Sequence, residues 1–262
     1  MDKSASMRET LKTYFRKDLG ESNFDGLFTS KEKADEAIEK YRTAMTKEGD
    51  TILGESVHYV LQPQASFVLI DQSNGYVKAL SGGRGQKEVS RSLNRATNTL
   101  RQPGSTFKVI TSFAPAIDTC GATLGSVYYD APYTMGTKTF RNWYSSKGYM
   151  GYSTIRDGIV YSMNIVAVRC MIETVTPQLG VEYARNLGIT SLTDSDYNAS
   201  TALGGITKGV SNMELTAAYA AIANGGVYTT PRFFTKILDH DGKVLIDNEP
   251  ETKQDRKSTR LN

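Results

Sequence analysis

The order of predicted elements indicates an α+β fold, a mixed layered domain without alternating βαβ units. Short strand-forming runs come first, a block of helical segments follows Ser105, and a second strand pair comes last. Turn-forming Ser73-Asn74-Gly75 and Asp241-Gly242 join the two strands of each pair, which is typical of β-hairpins. The strand-forming runs are 65–71, 76–80, 233–238 and 243–246.

The helices are predicted from the spacing of apolar residues and from capping residues. Apolar residues recur at helical spacing between Ser30, which can cap a helix, and Gly49, which can end it. Ser211 and Glu214 have the spacing of a capping box, and Asn224-Gly225-Gly226 ends the helix that they begin. The helical segments after Ser105 are predicted at 106–116, 164–175, 178–187 and 212–223.

Composition excludes several classes of protein. The chain has 262 residues, which fits one large domain or two small ones, and its net charge of +3 gives no electrostatic case for binding nucleic acid or an anionic membrane. The two cysteines, with His58 and His240 in unrelated contexts, disfavour a metal site. Neither a bilayer-spanning apolar run of about 20 residues nor a signal peptide is evident.

Candidate chemistry begins where Pro103-Gly104 breaks the chain and an apolar run resumes. Ser105 should lie at a helix N-terminus, with Lys108 one turn later. A lysine with a lowered pKa can take the proton of a serine hydroxyl, and the free N–H groups of a helix start favour a developing oxyanion. The spacing alone is weak, since Ser30 and Lys33 repeat it. A capping serine with a surface lysine is the alternative.

A second candidate is Ser162-Met163-Asn164, which runs directly into the apolar residues 165–168. The same Ser-x-Asn pattern occurs at Ser92-Leu93-Asn94, so the pattern by itself decides little. Ser162 and Asn164 could line a buried polar cleft or cap a helix.

The ordered set of motifs carries more weight than any one of them. Residues 101–108, Arg-Gln-Pro-Gly-Ser-Thr-Phe-Lys, resemble the nucleophile segment of class A penicillin-binding proteins. Other segments resemble further parts of that family's transpeptidase domain in the family's order, over roughly 62–246. These segments are 64–71, 75–84, Asn94-Arg95-Ala96, Tyr161-Ser162-Met163-Asn164, Leu203-Gly204-Gly205, 209–219 and Asn224-Gly225-Gly226.

The resemblance implies the penicillin-recognising serine transferase, or β-lactamase-like, fold: a mixed sheet packed on a helical subdomain, incomplete here at the C-terminus. It implies peptidoglycan cross-linking, in which Ser105 attacks the D-alanyl-D-alanine end of a donor stem peptide and passes the acyl group to an acceptor amine. Lys108 would be the general base, Ser162 would relay a proton, and Asn164 would orient Lys108 and the substrate amide. β-Lactam antibiotics would acylate Ser105, and no metal or organic cofactor is implied.

The same resemblance sets domain expectations. We expect a linker region over 1–62 with a helix near 30–49, a transpeptidase domain over 63–248 and a disordered tail over 249–262. Full-length members of the family are bifunctional, with a glycosyltransferase domain and an N-terminal anchor at the extracytoplasmic face of a bacterial cell membrane. Both are missing here, so the chain is expected to be a fragment.

The family's Lys-[Ser/Thr]-Gly motif is also missing. Lys138-Thr139 is followed by Phe140, and Lys257-Ser258 by Thr259. We therefore expect a fragment that is poorly folded, with an unpaired apolar sheet edge, and that does not react measurably with a fluorescent penicillin.

The last eight residues, 255–262, invite a separate interpretation. The codons gat-cgg-aag-agc-aca-cgt-ctg-aac would encode them, and these codons resemble a common short-read sequencing adapter. We expect the natural sequence to stop by Gln254; the alternative is a solvated basic tail. Raw nucleotide reads would decide between the two.

Two rival functions share the serine chemistry. A serine β-lactamase would need a base that activates water for deacylation, and no such base is identified; nitrocefin turnover would favour it. A non-catalytic β-lactam sensor or binding domain would be acylated without transferring peptide, and an upstream signalling domain would favour that.

Simpler interpretations suffice for the remaining features. Trp143 and the tyrosine-rich stretch 144–152 are expected to be packing residues and loop anchors rather than a ligand cleft. Residues 82–85, Gly-Gly-Arg-Gly, lack the Lys-[Ser/Thr] of a P-loop and are expected to form a turn. Cys120 and Cys170 are expected to be free thiols.

Overall fold

The computed structural model describes residues 7–51, 54, 55, 57, 59–85, 87 and 90–249. By its internal contacts the chain divides into two compact units, Met1–Gln62 and Pro63–Asn262. The α-helices are α1 Met7–Thr13, α2 Lys31–Met45, α3 Ala114–Thr119, α4 Ile155–Val160, α5 Asn164–Arg169, α6 Pro177–Asn186 and α7 Asn212–Ala223. The predicted tail beyond residue 249, including 255–262, lies outside the described residues.

The strands form four two-stranded antiparallel sheets within the described ranges. The strands are β1 Phe67–Ile70, β2 Val77–Ser81, β3 Val127–Asp130, β4 Tyr133–Met135, β5 Lys138–Phe140, β6 Gly151–Thr154, β7 Lys236–Leu238 and β8 Val244–Asp247. The pairs are β1–β2, β3–β6, β4–β5 and β7–β8. Both predicted hairpins are present, and β3–β6 and β4–β5 are additions that the sequence patterns did not reveal.

Unit Met1–Gln62 is built around helix α2. Ser30 caps this helix as predicted, with its Oγ accepting a hydrogen bond from the Lys33 amide at 3.4 Å. The helix ends at Met45, earlier than the predicted Gly49, because Thr46 adopts an extended backbone conformation. A small apolar cluster packs under the helix, and in it the rings of Phe15 and Phe24 stack with centroids 4.2 Å apart.

Unit Pro63–Asn262 contains a continuous helical core. The segment predicted as one helix over 106–116 is a 3₁₀ turn at Gly104–Thr106, a π turn at Val109–Phe113 and then α3. Its side chains Phe107, Ile110 and Phe113 are buried. Gly180 of α6 lies so close to this run that an added Cβ would be 2.4 Å from the Thr111 carbonyl oxygen.

The other predicted helices are recovered with small changes. The helix predicted over 164–175 is α5 continued by a π turn at Cys170–Val175, because the backbone bonds shift in its second half. Helix α7 has the predicted bounds, and the capping box of Ser211 and Glu214 is confirmed at its start. Both cysteines are free thiols, as expected. Within the described ranges, each helix is too short or too polar to cross a membrane.

Candidate active site

Ser105 lies in the exposed turn that opens the buried helical run. The 3₁₀ turn Gly104–Thr106 carries the serine, and the following two residues, Phe107 and Lys108, are buried. Because Pro103 and Gly104 interrupt the preceding chain, the turn presents Ser105 at the surface while the next residues enter the core. Within the described part of the chain, Ser105 Oγ forms no hydrogen bond, so the hydroxyl is open to a ligand.

A distant segment, residues 204–210, holds this turn in place; we call it the support segment. Arg101 pairs with Val210 through two main-chain hydrogen bonds of 2.9 and 2.8 Å. The Gln102 side chain continues the pairing, since its amide group donates to the Ile206 carbonyl oxygen at 2.5 Å and accepts from the Ile206 amide at 2.9 Å. The chain before Ser105 is therefore fixed by main-chain and amide hydrogen bonds.

Two further contacts bear on the turn itself. Gly204 has φ +72°, and an added Cβ would lie 2.3 Å from the carbonyl oxygen of Gly104. Only glycine satisfies both conditions, since it adopts this conformation without strain and has no side chain. The Tyr219 hydroxyl of α7 donates to the Thr106 carbonyl oxygen at 2.6 Å. The resemblance covered these segments, but no local signal in the sequence paired them with the turn.

Lys108 is a buried amine with a hydroxyl and a carbonyl as partners. Its side chain is 2% exposed. Its Nζ donates to the carbonyl oxygen of Ser162 at 2.6 Å and to Ser162 Oγ at 3.0 Å. Burial lowers the pKa of Lys108 to about 8, because the ammonium form loses its hydration. A substantial fraction of this lysine is therefore neutral near physiological pH, as a general base requires.

Ser162 has a backbone conformation that is unusual for serine. Its φ of +49° is left-handed, and it follows helix α4 at the position where glycine usually stands. The Met163 amide bonds the Gly158 carbonyl at 2.9 Å and the Ser162 amide bonds that of Ile159 at 3.3 Å, which is the pattern of a Schellman motif. This helix end gives Ser162 the geometry in which its carbonyl and hydroxyl both contact Lys108.

Asn164 is the first residue of α5 and is held by a neighbouring loop. Its Nδ2 donates to the Arg141 carbonyl oxygen at 2.9 Å, and its main-chain amide donates to Asn142 Oδ1 at 2.8 Å. The predicted part of Asn164 in orienting Lys108 stays a prediction, since no hydrogen bond joins these two side chains in the described structure. The structure thus brings Lys108 and Ser162 into contact, with Ser105 one turn before Lys108.

Aromatic side chains line a cavity at Tyr161, the residue before Ser162. A shallow cavity of about 240 Å³ is bordered by Tyr161, Trp143 and Tyr144. Tyr144 is buried, as expected of a packing residue, whereas Trp143 is 72% exposed and anchored by a hydrogen bond to the Tyr161 carbonyl oxygen. Tyr152 is also exposed. Among the described residues, no three His, Cys, Asp or Glu side chains form a group that could hold a metal ion.

Comparison with known proteins places this arrangement. The family model described as "Penicillin binding protein transpeptidase domain" matches residues 65–261. The chain belongs to this family. The family predicted from the motif order is therefore confirmed.

Individual relatives and solved structures agree with that assignment. The chain is 35% identical over 210 residues to "Penicillin-binding protein 1A" of Clostridium botulinum, covering 74% of this chain and 24% of the relative. It is 36% identical over 216 residues to the protein of the same name from Clostridium tetani, covering 76% and 27%. It is 34% identical over 235 residues to "Penicillin-binding protein 1F" of Bacillus subtilis, covering 90% and 31%. The chain thus spans about a quarter to a third of the length of these curated relatives.

The fold is shown by two solved structures of penicillin-binding proteins. Penicillin-binding protein 1A from Haemophilus influenzae matches with a TM-score of 0.60 at 30% identity, covering 72% of this chain and 27% of that one. The penicillin-binding protein PonA1 from Mycobacterium tuberculosis matches with a TM-score of 0.60 at 26% identity, covering 71% and 48%. The predicted class, a mixed sheet and helix fold of the penicillin-recognising type, is confirmed.

Proposed function

We propose that this chain carries the acylation centre of a peptidoglycan DD-transpeptidase that works through a serine acyl-enzyme. The observation that carries the proposal is the contact of the buried Lys108 amine with Ser162 Oγ, one helical turn after the exposed Ser105. Membership of the penicillin-binding transpeptidase family supports the substrate class: stem peptides ending in D-alanyl-D-alanine, with β-lactams as their mimics.

The proton transfers of the proposed reaction use Ser105, Lys108 and Ser162. Neutral Lys108 takes the proton of Ser105 Oγ, and the oxygen attacks the carbonyl carbon of the penultimate D-alanine. The peptide C–N bond breaks, and the leaving nitrogen of D-alanine receives a proton from Lys108 through Ser162 Oγ. An acceptor amine then attacks the ester on Ser105, loses its proton through the same relay and restores the serine hydroxyl. Water in place of the amine would give carboxypeptidase activity.

The setting of this reaction is part of the proposal. The relatives are named penicillin-binding proteins 1A and 1F. We propose that the gene containing this sequence encodes a bifunctional enzyme, with a glycosyltransferase activity as well, that is anchored in a bacterial cell membrane and acts at its extracytoplasmic face. The 262 residues alone, which lack the Lys-[Ser/Thr]-Gly motif, are proposed to be inactive.

Labelling with a fluorescent penicillin tests the serine. In the protein encoded by the complete gene, we expect one equivalent of label, located on Ser105 by peptide mass spectrometry and lost in Ser105→Ala. The matched control is Ser30→Ala, which alters the other Ser-x-x-Lys pair of this chain and should leave labelling unchanged. Label on another residue, or labelling that survives in Ser105→Ala, would contradict the proposal.

Two further measurements separate the alternatives. Rapid nitrocefin hydrolysis by the complete protein would identify a β-lactamase, whereas stable labelling with cross-linked product from stem-peptide substrates is expected for the transpeptidase. The isolated 262 residues should label far below one equivalent. Stoichiometric labelling of these residues at Ser105 would show that they are active without the third motif.

A further inference from the structure

We propose that Asn142, oriented by Asp130 and Tyr144, is a positioning residue that sets the place of Ser162 relative to Lys108. This inference rests on the proposed function, because it concerns the geometry of the acylation centre. The three residues lie outside every motif that suggested the chemistry, and they form one buried polar network beside the start of helix α5.

Helix α5 begins with a cap supplied from outside the helix. Met163 occupies the capping position and its side chain makes no capping hydrogen bond. The Asn142 carboxamide caps the helix instead, from a position 22 residues before Asn164. Its Oδ1 accepts hydrogen bonds from the main-chain amides of Asn164 at 2.8 Å and Ile165 at 3.1 Å. Free amides at a helix start need such an acceptor when they are buried. The loop at Asn142 therefore fixes where α5 begins.

The orientation of the Asn142 carboxamide is set by Asp130 and Tyr144. Asn142 Nδ2 donates to Asp130 Oδ1 at 2.5 Å and to the Tyr144 hydroxyl at 3.0 Å. Asp130, 1% exposed, also accepts from the Tyr144 hydroxyl at 3.1 Å and the Met150 amide at 2.9 Å. The Asp130 oxygens accept and the α5 amides donate, so the NH₂ group of Asn142 faces Asp130 and its carbonyl oxygen faces the helix.

The start of helix α5 lies next to the contacts between Ser162 and Lys108. Asn164 is also held through its side chain by the Arg141 carbonyl oxygen, so residues 141 and 142 together hold three donors at the start of α5. Ser162 lies two residues before Asn164, and its contacts with Lys108 Nζ are short, 2.6 and 3.0 Å. A displaced helix start would lengthen these contacts, and proton transfer depends steeply on such distances.

The decisive experiment exchanges the two polar groups in the protein encoded by the complete gene. Asn142→Asp places a second carboxylate against Asp130 and should slow acylation by a fluorescent penicillin at least tenfold. The exchange variant Asp130→Asn with Asn142→Asp restores one donor facing one carboxylate, and it should recover acylation to within about threefold of the wild-type rate. Asn23→Asp, at an exposed position, is the charge control and should acylate normally.

Acylation rates are compared with the pH profile and the melting temperature. A positioning role shifts the pH midpoint of acylation in Asn142→Asp, because the surroundings of the Lys108 amine change, and the exchange variant restores it. A merely structural role lowers the melting temperature and leaves the rate and midpoint of the folded protein unchanged. That second result, or an exchange variant no faster than Asn142→Asp, overturns the inference.

Two safeguards keep the outcome readable. If Asn142→Asp does not fold, the Tyr144→Phe variant tests the inference in its place. Removal of the Tyr144 hydroxyl should slow acylation at least threefold, and a wild-type acylation rate in this variant overturns the inference. Wild-type labelling at Ser105 is measured in the same series. Its failure would count against the proposed function, whereas normal wild-type labelling with unaffected variants at 142 and 144 counts against this inference alone.

Discussion

Replacement of Ser162 separates stability from chemistry at one position. Its left-handed φ of +49° is a conformation that glycine adopts freely and residues with a Cβ do not. Ser162→Gly removes Oγ and the strain together, and it keeps the main-chain carbonyl that accepts from Lys108 at 2.6 Å. Ser162→Ala removes the same hydroxyl and keeps the strain. The two variants therefore differ by one Cβ, which strains the left-handed backbone of the alanine variant.

The difference in stability follows from that comparison. A left-handed conformation costs a residue with a Cβ about 1–2 kcal/mol. Glycine avoids this cost but has more freedom in the unfolded chain, which offsets about 0.5–1 kcal/mol. Ser162→Gly should thus be more stable than Ser162→Ala by about 0.5–1 kcal/mol. For a domain of this size that is a rise in Tm of about 1–4 °C.

Acylation should not follow the same order. Both variants lack the hydroxyl that we propose relays the proton, and the loss of one general acid–base group slows a reaction by about 10²–10⁴. In the protein encoded by the complete gene, we expect both variants to react with a fluorescent penicillin at equal rates, at least about 100-fold more slowly than the wild type. Melting is followed by differential scanning fluorimetry and acylation by gel fluorescence over time.

Two results would refute this reasoning. A Ser162→Gly variant less stable than Ser162→Ala would mean that the left-handed turn is not strained. A wild-type acylation rate in either variant would mean that Ser162 Oγ does not relay a proton during acylation.

Four other predictions concern the turn and its lysine. With the pKa of Lys108 lowered to about 8, acylation should rise with pH through a midpoint near 8, as followed by stopped-flow quenching; a flat profile between pH 6 and 9 would argue against this base. The pKa of Lys108 is lower in the folded state than its unfolded value of 10.5, so the unfolded state binds more protons between pH 8 and 10.5. Over that window the free energy of unfolding should rise by about 3 kcal/mol relative to Lys108→Met, as measured by urea titration. Gly204→Ala should lower the free energy of unfolding and the acylation rate, because the added Cβ meets the backbone of Gly104. The control Gly225→Ala, with φ +64° and open space around it, should lower the free energy of unfolding by about 1 kcal/mol and keep the acylation rate. Equal effects of the two substitutions would contradict this prediction. Tyr219→Phe should lower the free energy of unfolding by about 1 kcal/mol and slow acylation modestly, because it removes the hydroxyl that bonds the turn carrying Ser105.

Features set by neighbouring residues could be predicted from the sequence. The capping box at Ser211 joins atoms three residues apart, so residue identity and spacing suffice, and helix α7 has the predicted bounds. The β1–β2 hairpin was predicted from the turn residues and the strand-forming runs on either side, and the antiparallel pairing is confirmed. The family was recognised because several such local signals occur in a fixed order.

Features that depend on distant partners could not be predicted. Asn142 caps a helix 22 residues away, and Gln102 pairs with Ile206 across 104 residues; neither residue differs locally from other asparagines and glutamines in loops. Ser162 carries no mark of its left-handed conformation, because that position usually holds glycine. The π turns at Val109–Phe113 and Cys170–Val175 likewise had no signal in the helical spacing of the sequence.

The pairing between Arg101 and Val210 has a consequence for how the exposed serine meets a ligand. Exposed residues are usually mobile. The turn that carries Ser105 is exposed on one side, but on the other side hydrogen bonds join it to Val210 and to Tyr219 of helix α7. Ser105 can be displaced only if the hydrogen bonds of Arg101 and Gln102 to the support segment break together. The turn and the support segment should therefore exchange their amide hydrogens as one cooperative unit. A covalent inhibitor therefore meets a target that is accessible and already ordered, and little entropy remains to be lost when the bond forms.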